Sequence, residues 1–497
     1  MQLQSVGYKA LIEKLDIEGI VHWHYSSIDI NGHTHKMEKK SGYTHEIYPK
    51  KYAIENTIIK YLEFALKYDG VNLTLLTLIF QKIDEQELLL AITNKPTGKY
   101  IRRLWYFYEF LMNKKLPISD LAQGNYVDLL EKEKYYTLEN ATSIKRQRIR
   151  DNQLGNSRFC PTVRKTKLLQ EYEEKDLAEK SENILTHYSP KVLKRALGYL
   201  YTKETKSSFE IEKVKPSSSR IEKFISLLKE AHKDDFCTKE KLIDLQNRIV
   251  DVRFKDDDYR VTQNYIGESI SYGEEKIHYI SPKPEDLPAL MEGLITAHQS
   301  MSNSTTLSIV HATVIAYGFV YLHPFEDGNG RIHRFLVHNI LARGAFTPNG
   351  MIFPLSAVML KNPYDYDASL ECFSAQILPL VDYTLDDTGT MKVENDTALF
   401  YRNIDMTEQV ERLYAFIEKT IDEELSKELE FIVQYDLSKK SLQDIVDMPD
   451  RQIDLFIRFT LQNEGRLSEN KRKKYFDFLT EKEIGLMEDS ILKERSV

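Results

Sequence analysis

At 497 residues the chain is too long for one compact core, so two or three domains are expected. Charged residues make up 29% and hydrophobic ones 42%, the balance of a folded globular chain and not of a disordered one. A formal net charge of −8 argues against general nucleic-acid binding, though it leaves room for a local basic patch.

Residues 1–180 read as a mixed N-terminal domain in which no catalytic constellation stands out. The opening MQLQSVGYKALIEKLD has no basic region followed by an apolar core, so no signal peptide is visible and the cytoplasm is the default location. A hairpin is expected around Trp23–Met37, followed by helical stretches such as NTIIKYLEFALKY (Asn56–Tyr68). The basic run KRQRIR (Lys145–Arg150) reads as a solvated helix face in preference to a nucleic-acid contact. Cys160, Cys237 and Cys372 are far apart and odd in number. They offer neither a disulfide framework nor metal-ligand spacing, which fits a reducing compartment.

Residues 181–390 alternate helices with one hairpin. A long helical run, KVLKRALGYLYTKETKSSFEIE, ends at Glu212, and Ser219 to Glu222 read as a capping box opening the next helix after Pro216. From Tyr259 to Met291, β-prone runs flank a Tyr-Gly-Glu-Glu turn. Thr305–Leu322 is apolar nearly all round, which predicts a buried helix. It is too short and polar, with His311 and several threonines, to span a membrane.

That helix leads into HPFEDGNGRIHR (His323–Arg334), where most of the chemistry is concentrated. His323-Pro324 ends the helix, because the residue before a proline is pushed out of the α region. Gly328, Asn329 and Gly330 tolerate positive φ and uncover backbone N–H groups, as an anion nest requires. A second helix over about Arg331–Arg343 then presents its positive dipole end to any anion held there. Arg331 and Arg334, three apart, can grip phosphate oxygens together, and Asp327 is a hard oxygen ligand suited to Mg²⁺ brought in with a nucleotide. His323 titrates near neutrality and can take a proton from a hydroxyl nucleophile.

The twelve residues resemble the Fic motif, HPFx[D/E]GNGRxxR, and match it at every defined position. The resemblance implies a mostly α fold: a Fic-type helical core with a β-hairpin flap, beside the mixed N-terminal domain and a helical C-terminal region. It also implies an enzyme that transfers AMP from Mg-ATP to a Ser, Thr or Tyr hydroxyl of a target protein, releasing pyrophosphate. His323 would be the base and Asp327 the Mg²⁺ ligand. Gly328, Asn329 and Gly330 would form the anion hole, with Arg331 and Arg334 on the terminal phosphates and Phe325 packed beneath the loop. The intact Gly-Asn-Gly-Arg segment favours nucleotidyl over phosphoryl transfer. Tyr259–Met291 resembles the flap that holds the target by main-chain pairing, with Ile277, His278, Tyr279 and Ile280 as the flap residues. Tyr364 or Tyr366 is expected beside the nucleotide.

Many Fic proteins carry an inhibitory helix, [S/T]xxxE[G/N], whose glutamate pairs with the second motif arginine. SFEIEK (Ser208–Lys213) and SSRIEK (Ser218–Lys223) both come close, each with lysine at the last position. Glu222 is already spent in its capping box, so Glu212 is the expected inhibitor, placed N-terminal to the core. If the glycine of the pattern supplies a left-handed helix end, Lys213 costs about 1 kcal/mol there.

Residues 391–497 are charged and helical, with a helix-turn-helix one reading of SLQDIVDMPDRQIDLFIRFT. The alternatives to AMP transfer are removal of AMP at the same site, with Glu212 positioning water, and a nucleotide-sensing DNA-binding regulator. The intact His323 and Asp327 weigh against the regulator, since sensing needs no base. A homodimer coupled to Glu212 stays open.

Overall fold

The structure, a computed structural model, describes residues 2–271, 274–304, 306–348 and 350–494. Helices dominate it, and the described strands gather in small sheets. In the N-terminal region β1 (Leu3–Val6), β2 (His24–Asp29), β3 (Lys36–Lys40) and β4 (Tyr43–Pro49) form one sheet in the order β1-β2-β4-β3. The hairpin expected over Trp23–Met37 does not form. β2 pairs in parallel with β4, and it is β3 that folds back on β4, through Gly42 at φ +83°. Burial explains the order: Ser26, Ser27 and Ile28 of β2 are buried, whereas all of KMEKK in β3 is exposed, and a charged strand belongs at a sheet edge.

The basic run departs further from its expected form. β5 (Val127–Asp128), β6 (Thr142–Ile144) and β7 (Ile149–Asp151) pair in the order β5-β7-β6, and Lys145–Arg150 spans the turn into β7, not a helix face. Its guanidinium groups are engaged internally. Arg146 Nη2 donates to Glu109 at 2.7 Å, Arg148 Nη1 and Nη2 to the carbonyls of Gly124 and Ala122, and Arg150 Nε to Asp128 at 2.5 Å. Partners this far away in sequence leave no local signal.

One apolar cluster runs from Val6 to Cys160, a larger one from Tyr136 to Ile432 and a third from Leu442 to Ile491. The stretch with a helix-turn-helix reading folds as helices Ser426–Ile445 and Asp450–Leu461, joined through Met448 and Pro449. The three cysteines are free, and among the described residues no helix is long and apolar enough to cross a membrane.

Four helices frame the loop His323–Arg334. The long helix (Pro190–Ile211) starts at a Ser189 cap with proline at its first position. The buried helix (Ser308–Leu322) is buried at every position after Ser308 and delivers the chain to His323. The loop helix (Asn329–Arg343) begins inside the Gly-Asn-Gly turn, two residues earlier than expected. The wall helix (Pro363–Ile377) closes one side. β8 (Tyr265–Ser271) and β9 (Glu274–Ile280) form the hairpin expected as the flap, and a small hairpin of β10 (Tyr383–Leu385) and β11 (Met391–Val393) packs on its base around Ile280. Tyr272 and Gly273 of the expected turn lie outside the described residues.

Candidate active site

The buried helix stops at His323, whose φ of 49° and ψ of 58° give a left-handed end and not the extended one usual before proline. This bend carries Nδ1 of its ring to 3.2 Å from the Val320 carbonyl. A carbonyl can only accept, so the ring proton sits on Nδ1 and the lone pair is left on Nε2. Burial pushes the His323 pKa down to about 4, so the imidazole is neutral and ready to accept a proton well below neutral pH. Beneath it Phe325 is fully buried, and Asn329 staples the loop: Oδ1 accepts from the Phe325 N–H at 3.1 Å and Nδ2 donates to its carbonyl at 2.7 Å. Gly328 has φ +96°, and a Cβ there would stand 2.9 Å from Val250. No larger residue turns there without strain.

The anion end is built by the first turn of the loop helix. Arg331 and Arg334 are 2% and 1% exposed. Arg331 Nη2 donates to Asp327 Oδ1 at 2.6 Å, so the carboxylate sits at the rim beside a guanidinium. Arg334 is held from three sides. Nε donates to Ser208 Oγ at 3.0 Å, Nη1 to Tyr366 at 3.1 Å, and Nη2 to the Ser208 carbonyl at 2.7 Å and to Glu212 Oε1 at 2.9 Å. The Glu212 carboxylate also lies against Gly330, where even a methyl group would overlap it. A negative charge from the chain itself therefore rests at the positive end of the loop helix, where a phosphate would be favoured.

Glu212 caps the C-terminus of the long helix, and Lys213 follows it at φ 55°. The Lys213 N–H bonds to Glu210 O at 2.9 Å and the Val214 N–H to Phe209 O at 3.1 Å, a Schellman closure with lysine at the left-handed position. Glu222 is exposed on the following helix, which is capped by Ser217 through the Arg220 N–H and not by Ser219.

The flap strands pair Tyr265 with Ile280 and Ile266 with Tyr279, then slip so that Gly267 faces Ile277 and His278 becomes the extra residue of a bulge. Ile277 and His278 are half-buried, and His278 Nε2 lies 3.0 Å from Glu268. Tyr279 and Ile280 are buried at the flap's base. The Tyr279 hydroxyl donates to the Tyr321 carbonyl, and the Ile280 carbonyl accepts from Tyr401 at 2.5 Å. Arg260 joins flap to loop, donating from Nε to His323 O at 2.8 Å and from Nη2 to Pro282 O at 2.7 Å. Nothing local in the sequence marks Arg260, since all its partners are carbonyls. Of the two tyrosines expected near the nucleotide, Tyr366 meets Arg334, whereas Tyr364 is 88% exposed.

Residues 236–341 match the Fic/DOC family. A relative from Culex quinquefasciatus, named Protein adenylyltransferase Fic, is 33% identical over 123 residues, which is 24% of this chain and 22% of the mosquito protein. One of the same name from Nematostella vectensis is 34% identical over 90 residues, 18% of this chain and 19% of the relative. The chain thus spans about a fifth of the length of these relatives. Among solved structures, a Fic family protein from Desulfovibrio desulfuricans G20 aligns with 56% of this chain and 80% of its own, at 18% identity and a TM-score of 0.39.

Proposed function

We propose that the segment 236–341, which matches the Fic/DOC family, transfers AMP from ATP to a hydroxyl side chain of a target protein, restrained by Glu212 of the same chain. The observation that carries this reading is the Nδ1–Val320 bond, which leaves His323 Nε2 free beside an anion site formed by the loop helix. In the proposed reaction the target oxygen attacks the α-phosphorus in line, and its proton passes to Nε2 as the P–O bond to pyrophosphate breaks. Backbone N–H groups at Gly328–Gly330 and the two buried arginines would carry the phosphate charge. Asp327, a half-exposed carboxylate at the loop edge, fits a Mg²⁺ that arrives with those phosphates and neutralises them. Among the described residues no group of three or more His, Cys, Asp or Glu is arranged to hold a metal, so phosphate oxygens would supply most of its ligands.

Arg334 cannot serve a terminal phosphate while Glu212 holds it, which supports an inhibitory role for the N-terminal glutamate. The apolar clusters change over near residues 136–160 and again between Ile432 and Leu442, so they do not mark the expected division near residues 180 and 390. Transfer of label from ATP tagged on the α-phosphate tests the reading. Self-modification or target modification that disappears in His323→Ala supports it, and label that persists without the imidazole rejects it. Removal of AMP is the second reading, favoured by a Glu212 carboxylate already lodged at the anion end, where it could orient water. AMP released from a modified target with Mg²⁺ and no ATP separates the two directions.

A further inference from the structure

Between the N-terminal sheet and the catalytic region lies a cavity of about 190 Å³ that shares no lining residue with the anion site. Trp23 and Arg164 form one wall, the guanidinium 4.3 Å from the indole ring, and Arg164 Nε donates to Asp405 at 2.9 Å. Cys372, Asn403 and Gln409 line the other side. Asn403 is 7% exposed, and neither its Nδ2 nor its Oδ1 has a hydrogen-bond partner among the described residues. Gln409 is 1% exposed and its Oε1 is likewise unpartnered, while its Nε2 donates to Tyr321 at 3.0 Å. Buried amide atoms are almost always bonded in folded proteins, so three orphans around one cavity call for an explanation.

The geometry points to a binding site for a neutral, planar nucleobase-type ligand. A carboxamide offers a donor and an acceptor side by side, and it reads the complementary pair on a heterocycle, as asparagine does with adenine. The planar Arg164 guanidinium, stacked on the Trp23 indole, supplies a flat wall on which a ring can lie. The volume falls below the roughly 300–1,000 Å³ of pockets that hold drug-sized ligands, so a base fits and a nucleotide does not. Asp405 and Glu408 also line the cavity against the single cation of Arg164, which disfavours phosphate. The occupant would sit close to the catalytic machinery. Gln409 bonds to Tyr321, whose carbonyl receives the flap's Tyr279, and Cys372 lies on the wall helix that presents Tyr366 to Arg334.

Adenine is the simplest probe, and the full-length protein reports on it directly. The chain has two tryptophans, and Trp105 is buried with its indole N–H bonded to Glu109, so a change in emission on titration comes from Trp23. A saturable change is expected in the wild type, weakened about tenfold or more in Asn403→Leu. That variant should melt at the same temperature or higher, because leucine removes two unbonded atoms at similar volume. In the wild type adenine should also slow maleimide labelling of Cys372, the one cysteine not fully buried. No saturable response to adenine, or an undiminished one in Asn403→Leu, overturns the proposal. A variant that is merely more stable, beside a wild type indifferent to adenine, would mark the cavity as a water site. If Asn403→Leu fails to fold, labelling of wild-type Cys372 decides: a rate unchanged by adenine is also fatal. Each readout is of binding, so it stands or falls apart from the AMP-transfer reading.

Discussion

Arg334 is buried and bonded at once to Ser208, Tyr366 and Glu212, so a phosphate reaching it must first displace a carboxylate. An intramolecular restraint of about 2.7 kcal/mol would leave roughly 1% of molecules open. The Glu212 side chain is 34% exposed, and solvent screening moves the pair toward the weaker end of that scale. Glu212→Gly should therefore raise label transfer by about tenfold, with a ceiling near a hundredfold. Glu222→Gly, on an exposed helix face, should leave it unchanged. Equal responses from the two variants would remove Glu212 from its inhibitory role. His323 carries a second prediction at this scale. A base must be unprotonated to act, and burial lowers the His323 pKa from the ordinary 6.5 to about 4. In the Glu212→Gly background, kcat/KM should stay level from pH 7.5 down to pH 5.5, where an ordinary imidazole would already have lost most of its activity. A fall centred near pH 6.5 would contradict the depressed pKa of the His323 imidazole.

The last turn of the long helix shows how a residue becomes a property of an element. Lys213 occupies the left-handed position of a Schellman closure, the very place at which the pattern anticipates a glycine. Asparagine tolerates this backbone better than lysine does, without the unfolded-state entropy that glycine would add. Lys213→Asn is expected to stabilise the helix end by up to about 1 kcal/mol and to lower basal label transfer by holding Glu212 in place. Increased transfer, or a lowered melting temperature, would mean that the closure does not set the restraint. What the sequence disclosed about elements follows the same logic of locality. The motif, the buried helix and the left-handed helix end are written in consecutive residues, and they could be read. Arg146, Arg148 and Arg260 bond carbonyls and carboxylates distant in sequence, so their structural roles had no local signature. The β2–β4 pairing was hidden for a related reason, because a parallel neighbour is joined through the intervening β3 and not by a turn. Glu204 is a further case. It is wholly buried in the long helix, accepts from the Ser356 N–H at 2.8 Å and lies 2.9 Å from His338, yet it looks like any helical glutamate.

Across the whole molecule, buried titrating groups are distributed unequally between the N-terminal cluster and the catalytic one. In the catalytic region burial lowers His311 and His333 to about 3 and His323 to about 4, each from an ordinary 6.5. A group whose folded pKa is depressed binds its proton only on unfolding, so stability is lost as pH falls from 6.5 toward 4. Unfolding this region then takes up a proton at each of these imidazoles, offset in part by Asp256, Asp286 and Asp367, whose pKa values burial raises. In the N-terminal region burial lowers His22 to about 3 but raises Asp69 from 3.8 to about 7. Asp69 has the opposite sign: folded protein holds its proton between pH 3.8 and 7 and unfolding releases it, so acid favours the folded form there. His22 and Asp69 nearly cancel in that window, and His45, which burial lowers, is opposed in sign by Asp151, which burial raises, while Glu46, lowered to about 2, adds acid sensitivity only below its ordinary 4.5. Acidification from pH 6.5 to 4.5 should therefore lower the melting temperature of the catalytic region well before that of the N-terminal region. Trp23 and Trp105 both lie in the N-terminal region, so indole emission follows its unfolding, while loss of ATP-dependent label transfer follows the other. The two midpoints should coincide near pH 7.5 and separate by pH 5, with label transfer lost first. An N-terminal transition that moves earlier, or midpoints that fall together across the range, would show that these buried groups do not control acid stability in the way their surroundings dictate.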